Sequence, residues 1–130
     1  MTPRRDGFTL IELLIVIVII GLLAAFAQSF LWSAKDRALI STLKHDMRVL
    51  ATQQETYFGS NFRYAPAPTD IGEYVSSPGV VITITYAQAD GWAVIATHGS
   101  VVGKQCGLFI GNALAADAPP ATQQGVIDCD

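Results

Sequence analysis

A few residues in this sequence are of types that could do chemistry: His45 and His98, Cys106 and Cys129, the scattered acids Asp70, Glu73 and Asp90, and one acid in an unusual place, Glu12. A zinc site needs Cys, His or acid ligands at short regular spacings. Neither histidine has such neighbours, so each reads as a surface or interface histidine. Asp70, Glu73 and Asp90 are too far apart in sequence for a calcium loop. The sequence has no phosphate-binding Walker pattern, nucleophile elbow or dinucleotide fingerprint. These observations point to no enzyme and imply no cofactor or metal. The two cysteines lie in the last quarter of the chain. If that part is exported they imply one disulfide, and in cytosol they would be two free thiols.

Glu12 is the exception. Between Phe8 and Ala34 it is the only charged residue, set among Leu10, Ile11, Leu13, Leu14 and the run Ile15 to Ile20. At about 1.5 Å per residue such a run, if helical, nearly spans the hydrocarbon core of a bilayer. A carboxylate inside it costs on the order of 3 kcal/mol unless it finds a partner.

The composition fits a chain that carries this run as a separate piece. Its 130 residues are 51% hydrophobic and carry a formal net charge of −3. That is enough for one membrane segment and one small domain. The charge, with no basic cluster after Arg5, argues against nucleic acid as a partner. Arg4 and Arg5 precede the apolar run and place that end in the cytoplasm, with everything after about Ala27 outside. Three ordinary readings compete for this arrangement: a signal peptide cleaved near Ala25-Phe26-Ala27, an uncleaved anchor, and a twin-arginine export signal. The last is a poor match, because Asp6-Gly7 follows the arginines. None of the three uses Glu12.

The elements that must carry these residues read as α+β. From Gln28 to Phe58 there is neither proline nor glycine. Ile40, Leu43, Met47, Leu50, Gln54 and Tyr57 recur at steps of three and four, flanked by Leu39, Ala51 and Phe58. Lys35, Asp36, Arg37, Lys44, Asp46, Arg48 and Glu55 belong mainly to the other faces. The pattern predicts one helix from Phe8 to about Phe58, apolar all round in its first half and amphipathic in its second. At the standard rise it is roughly 75 Å long. Gly59-Ser60-Asn61 is its expected stop.

A loop over 59–79 follows, with Pro66, Pro68 and Pro78 and a possible helical turn near Asp70–Tyr74. Val80 to Tyr86 alternates, placing Val80, Ile82, Ile84 and Tyr86 on one face. Asp90-Gly91 marks a turn. Trp92–His98 and Gln105–Ile110 complete an antiparallel sheet of three to four strands laid on the helix stripe. Residues 111–130, with Pro119-Pro120, read as an ordered or semi-ordered tail.

The stretch Gly7-Phe8-Thr9-Leu10-Ile11-Glu12-Leu13-Leu14-Ile15-Val16-Ile17-Val18-Ile19-Ile20-Gly21 resembles the start of type IV prepilins and type II secretion pseudopilins. The resemblance implies a leader at 1–7, cut after Gly7 by a membrane prepilin peptidase, and N-methylation of the new terminus at Phe8. It makes Glu12 the assembly residue, 8–27 the membrane-spanning and filament-core half of the helix, and 28–130 the globular domain. Two positions depart from the pattern. Asp6 stands where Lys or Arg is usual, and no proline follows Ala27.

A bridge between Cys106 and Cys129 would match the C-terminal disulfide loop common in type IV pilins and less common in pseudopilins. The implied protein is a pilus subunit. It is held in the inner membrane by a single pass with its N-terminus cytoplasmic, handed to an inner-membrane assembly platform, and polymerised with copies of itself at the cell surface. The alternatives are a periplasmic type II secretion pseudopilin and a monomeric membrane-anchored binding domain.

Overall fold

A computed structural model describes residues 7–72 and 74–130. Arg4, Arg5, Asp6 and the acid Glu73 lie outside the described residues. The architecture is α+β. One helix, α1 (Leu10–Asn61), precedes an antiparallel sheet of β1 (Val80–Ala87), β2 (Gly91–His98), β3 (Gln105–Gly111) and β4 (Asp128–Cys129), in that spatial order. The chain divides into two compact units, Met1–Lys35 and Asp36–Asp130.

In the first unit, α1 runs through Gly21 without a break. A helical glycine weakens a helix by about 1 kcal/mol relative to alanine but does not end it. Residues 7–28 and 30–35 are all exposed. Trp32, at the end of the apolar run, is 68% exposed, and the Lys35 ammonium lies 5.7 Å from its ring centroid.

The second unit has a core built on the expected stripe. Leu43, Met47, Leu50 and Gln54 are fully buried, and the three apolar ones pack with Trp92, Val94 and Ala96 of β2 and Cys106 and Leu108 of β3. Burying each large apolar side chain contributes about 1.5–3 kcal/mol. Gln54 fits among them because Ala65 satisfies its amide at both ends. Gln54 Nε2 donates to Ala65 O at 3.0 Å, and Ala65 N–H donates to Gln54 Oε1 at 2.8 Å.

Asp46 departs from the sequence pattern. Placed there on an outward face, it is buried, and its carboxylate accepts Ser77 N–H at 2.7 Å and Ser77 Oγ–H at 2.8 Å. It borders the stripe next to Met47, and the loop before β1 supplies the donors that make its burial tolerable.

The helix stop also differs. Gly59, Ser60 and Asn61 form the last turn of α1 rather than ending it. The terminator is Phe62, whose φ of 56° is left-handed and whose N–H donates to Phe58 O at 2.8 Å. Asn61 Nδ2 adds a bond to Tyr57 O at 2.9 Å. Helices end where a residue turns left-handed, usually a glycine, and here a phenylalanine takes that role. The short helical turn in the following loop spans Pro68–Asp70, earlier than the sequence suggested, with a proline whose fixed φ suits a helix start.

β2 pairs with β1 and β3 on its two sides. Val80, Ile82 and Ile84 face the helix side as expected, but Tyr86 does not. The β1–β2 register shifts between Ile84 and Tyr86, so the extra residue sends Tyr86 to the opposite face. There it packs on a second cluster of Ala93, Phe109, Ala113, Ala118 and Ala121. Residues 113–121 thus cover the outer face of the sheet. Gly107 permits the close approach, because a Cβ at that position would run into the carbonyl of Ala118.

Candidate functional site

Gly7, Phe8 and Thr9 are non-helical, and α1 begins at Leu10. Thr9 is therefore the N-cap and Glu12 the third helical residue. Glu12 Oε2 accepts Thr9 N–H and Thr9 Oγ1–H, each at 2.8 Å, and Thr9 Oγ1 accepts Glu12 N–H at 3.3 Å. This is a reciprocal capping box, which satisfies backbone donors that a helix start leaves open. The first-turn carboxylate also complements the positive end of the helix dipole. Glu12 thus has a local partner that a reading of it as a bare acid in lipid overlooks. The signal was present in Thr-x-x-Glu ahead of an apolar run.

Upstream of the cap, Phe8 is 83% exposed, and a side chain built on Gly7 would meet open space. The Gly7–Phe8 peptide bond therefore lies in non-helical, accessible backbone, which is the state a peptide bond needs to enter a protease cleft.

The remaining sequence candidates fall elsewhere. Cys106 and Cys129 face each other across the β3–β4 register and are joined by a disulfide, with their Cα atoms 4.1 Å apart. The bond ties the C-terminal segment to the third strand. His45 is exposed. His98 is not the surface residue its sequence context suggested: it is 9% exposed, accepts Ser100 N–H through Nδ1 at 3.0 Å, and its ring packs against Gly79. Its position on the helix-facing side of β2, next after Ala96, accounts for the burial.

Asp70 ends the turn after the helix. Asp90 lies in the β1–β2 turn, where Oδ2 accepts from Asn112 Nδ2 at 3.0 Å and Oδ1 from Tyr86 OH at 3.2 Å. The Asn112 hydrogen bond holds the Asp90 carboxyl below the usual range, with Tyr86 adding to it. Desolvation first, then the bond to Asp90 and the charges of Asp90 and Asp117, raises the Tyr86 phenol. Among the described residues no group of three or more His, Cys, Asp or Glu could hold a metal ion. Among them α1 is the one helix long and apolar enough to cross a membrane.

Comparison with known proteins locates the same N-terminal stretch. A model of the prokaryotic N-terminal methylation motif matches residues 2–27. The chain is 41% identical over 70 residues to the type IV major pilin protein PilA of Myxococcus xanthus, spanning 54% of this chain and 32% of that protein. It is 33% identical over 75 residues to the type II secretion system core protein G of Pseudomonas aeruginosa, spanning 58% of this chain and 53% of that one. These two relatives are therefore covered over about a third and about half of their lengths. A third similarity, to the type IV wide pilus major component PilA4 of Thermus thermophilus, is 36% over 98 residues, covering 73% of this chain and 75% of that protein.

Proposed function

Because this chain belongs to the family of type IV pilins and type II secretion pseudopilins, we propose that it is a structural subunit of a bacterial type IV pilus. The observation that carries this reading is the capped apolar helix. Residues 7–28 and 30–35 are exposed, far more contiguous apolar surface than a soluble monomer tolerates. Such a surface needs lipid before assembly and other subunits after it.

In this reading, residues 1–7 are a leader removed at Gly7–Phe8 by a prepilin peptidase, and Phe8 becomes the methylated terminus. Residues 8–27 anchor the precursor in the inner membrane by a single pass with a cytoplasmic N-terminus, and residues 28–130 form the exported domain. Cleavage creates an ammonium one residue before Thr9. Glu12, already oriented by Thr9, is then available to a terminal ammonium in its own or a neighbouring copy as both leave the bilayer. Deleting one partner of a buried ion pair typically costs about 3–5 kcal/mol, so the pair fixes which subunits fit and in what register. An inner-membrane platform and further copies of the chain are the partners. The role is structural, and no reaction is assigned to the chain.

Similarity to core protein G favours one second reading, a periplasmic type II secretion filament. The Cys106–Cys129 loop tilts the choice towards the pilus. Mass spectrometry of the protein's N-terminus, with electron microscopy of sheared cell surfaces, tests the proposal. The expected result is N-methyl-Phe8 in surface filaments. A chain beginning at Met1 or Gln28 overturns it, and processed chain confined to the periplasm selects the second reading.

A further inference from the structure

Charge in this chain is divided by element. Residues 35–63 carry five cations (Lys35, Arg37, Lys44, Arg48, Arg63) against three acids, and residues 64–130 carry six acids against Lys104 alone. Two acids of the basic stretch are engaged within the fold: Asp46 by Ser77, and Glu55 by Tyr64 OH at 3.1 Å. Lys44 and Arg48, one turn apart on α1, rim an open groove of about 510 Å³ whose floor includes Ala51, Leu108, Ile110 and Val126. A cationic rim over an apolar floor fits a partner that presents an apolar side chain flanked by carboxylates.

The acidic half of the chain carries such a feature. Asp90 is held by Asn112 and Tyr86. Asp117 accepts Leu114 N–H through Oδ2 at 2.9 Å, and both acids act on the same Tyr86 phenol. Leu114, whose N–H Asp117 accepts, is 66% exposed. The corner is fixed by its own hydrogen bonds, so little ordering is needed when it docks.

We propose that the Lys44–Arg48 groove is an interface between copies of this chain, and that its occupant is the Asp90–Leu114–Asp117 corner of a second copy. This rests on the reading that the chain polymerises, and it adds which surfaces outside the apolar helix meet. Groove and corner are different surfaces of one chain, so the contact is heterologous. Each copy offers its groove onward, and repetition gives an open helical series unless the rotation happens to close a ring. Leu114 supplies apolar burial. The charge pairs set register and suppress wrong neighbours more than they add affinity.

The test uses the full-length chain in its producing bacterium. The pair Lys44→Glu with Arg48→Glu is expected to lower filament yield at least tenfold while leaving the amount of processed subunit unchanged. Asp90→Lys with Asp117→Lys should do the same, and combining both pairs should restore filaments. Leu114→Ser, a milder change on an exposed side chain, should reduce yield with unchanged thermal unfolding. A photo-cross-linking residue at position 126 should capture the 112–121 peptide of an isotopically distinct copy. Normal yield from the charge-reversed pairs, or no restoration by their combination when the subunit is folded, overturns the contact. Wild-type filaments that cross-link elsewhere overturn the contact alone. Filaments that give no cross-link from position 126 likewise overturn the contact alone, and processed wild-type chain that forms neither filaments nor cross-links overturns both the contact and the polymer reading beneath it.

Discussion

Glu12 closes a cap in the structure and has a second, proposed job in assembly, and a substitution can separate the two. As the third helical residue it closes the capping box with Thr9, a task that glutamine performs nearly as well. In the proposed subunit its negative charge lies beside a new N-terminal ammonium, and that job has no uncharged substitute. Glu12→Gln is therefore expected to keep the helix start, processing and membrane insertion while removing the subunit from filaments. Glu12→Ala should lose the cap as well and fray the helix start. Filament yield by electron microscopy, with amide exchange at Thr9 and Leu10, reads the two effects apart. Normal yield from Glu12→Gln would reduce the residue to a cap.

Tyr74 is a second residue-scale test. Burial first, and the Asp46 charge second, pushes its phenol up to about 12, and its hydroxyl has no hydrogen-bond partner among the described residues. The folded state holds this proton more tightly than the unfolded chain does. The contribution is therefore whole below the ordinary value of 10.0 and is lost as pH rises from there towards 12. Tyr74→Phe removes an unsatisfied buried hydroxyl. It is expected to be neutral or to stabilise by about 1 kcal/mol at neutral pH, and to flatten the alkaline decline. Unfolding followed by Trp92 fluorescence across that range checks both. An unchanged alkaline decline would assign it to other groups.

At the scale of elements, the C-terminal segment is held twice. The disulfide closes a loop of 23 residues' separation, worth about 3 kcal/mol in the chain-entropy model. The close approach of Ala118 to Gly107 seats the same segment on the sheet. Gly107→Ala should therefore destabilise by about 1–3 kcal/mol through overpacking, and the paired change Cys106→Ser, Cys129→Ser by about 3 kcal/mol. Because both act on one segment, the combined loss should fall short of the sum. Thermal unfolding of the three variants measures this, and strict additivity would show that the two restraints are independent.

These elements also mark where sequence stops being informative. The stripe through Leu43, Met47, Leu50 and Gln54 is a periodicity, and a periodicity can be read before any partner is known. β4 cannot be: Asp128–Cys129 is a strand only because Cys106 and Gly107 lie opposite. Nor could the side switch of Tyr86 be read, since the alternation from Val80 onward continues unbroken while the register with β2 slips. Asp46 shows the same limit in reverse, because the donors that permit its burial come from Ser77, thirty-one residues away. At the candidate site Thr9 and Glu12 are three residues apart, so their cap is local enough to read from sequence, although the expectation of a bare acid in lipid passes over it. The groove and the acidic corner are assembled from distant stretches and were not legible in sequence.

For the whole molecule, the division at Lys35 and Asp36 separates two kinds of stability. Among the described residues the first fully buried one is Leu43, and both core clusters, the disulfide and the sheet lie after Asp36. Within the first unit, residues 7–28 and 30–35 are exposed. A chain begun at Asp36 is therefore expected to fold with an intact Cys106–Cys129 bond and a buried Trp92, and to remain soluble without detergent. It should also be monomeric at micromolar concentration, because pairs at a charged rim set register without supplying much affinity. Near-ultraviolet circular dichroism and sedimentation velocity provide the check. Loss of the Trp92 signal would mean that residues 8–35 are needed to order the core. A stable oligomer would mean that the groove and corner hold copies together unaided, and the apolar helix would then not be the main source of cohesion between them.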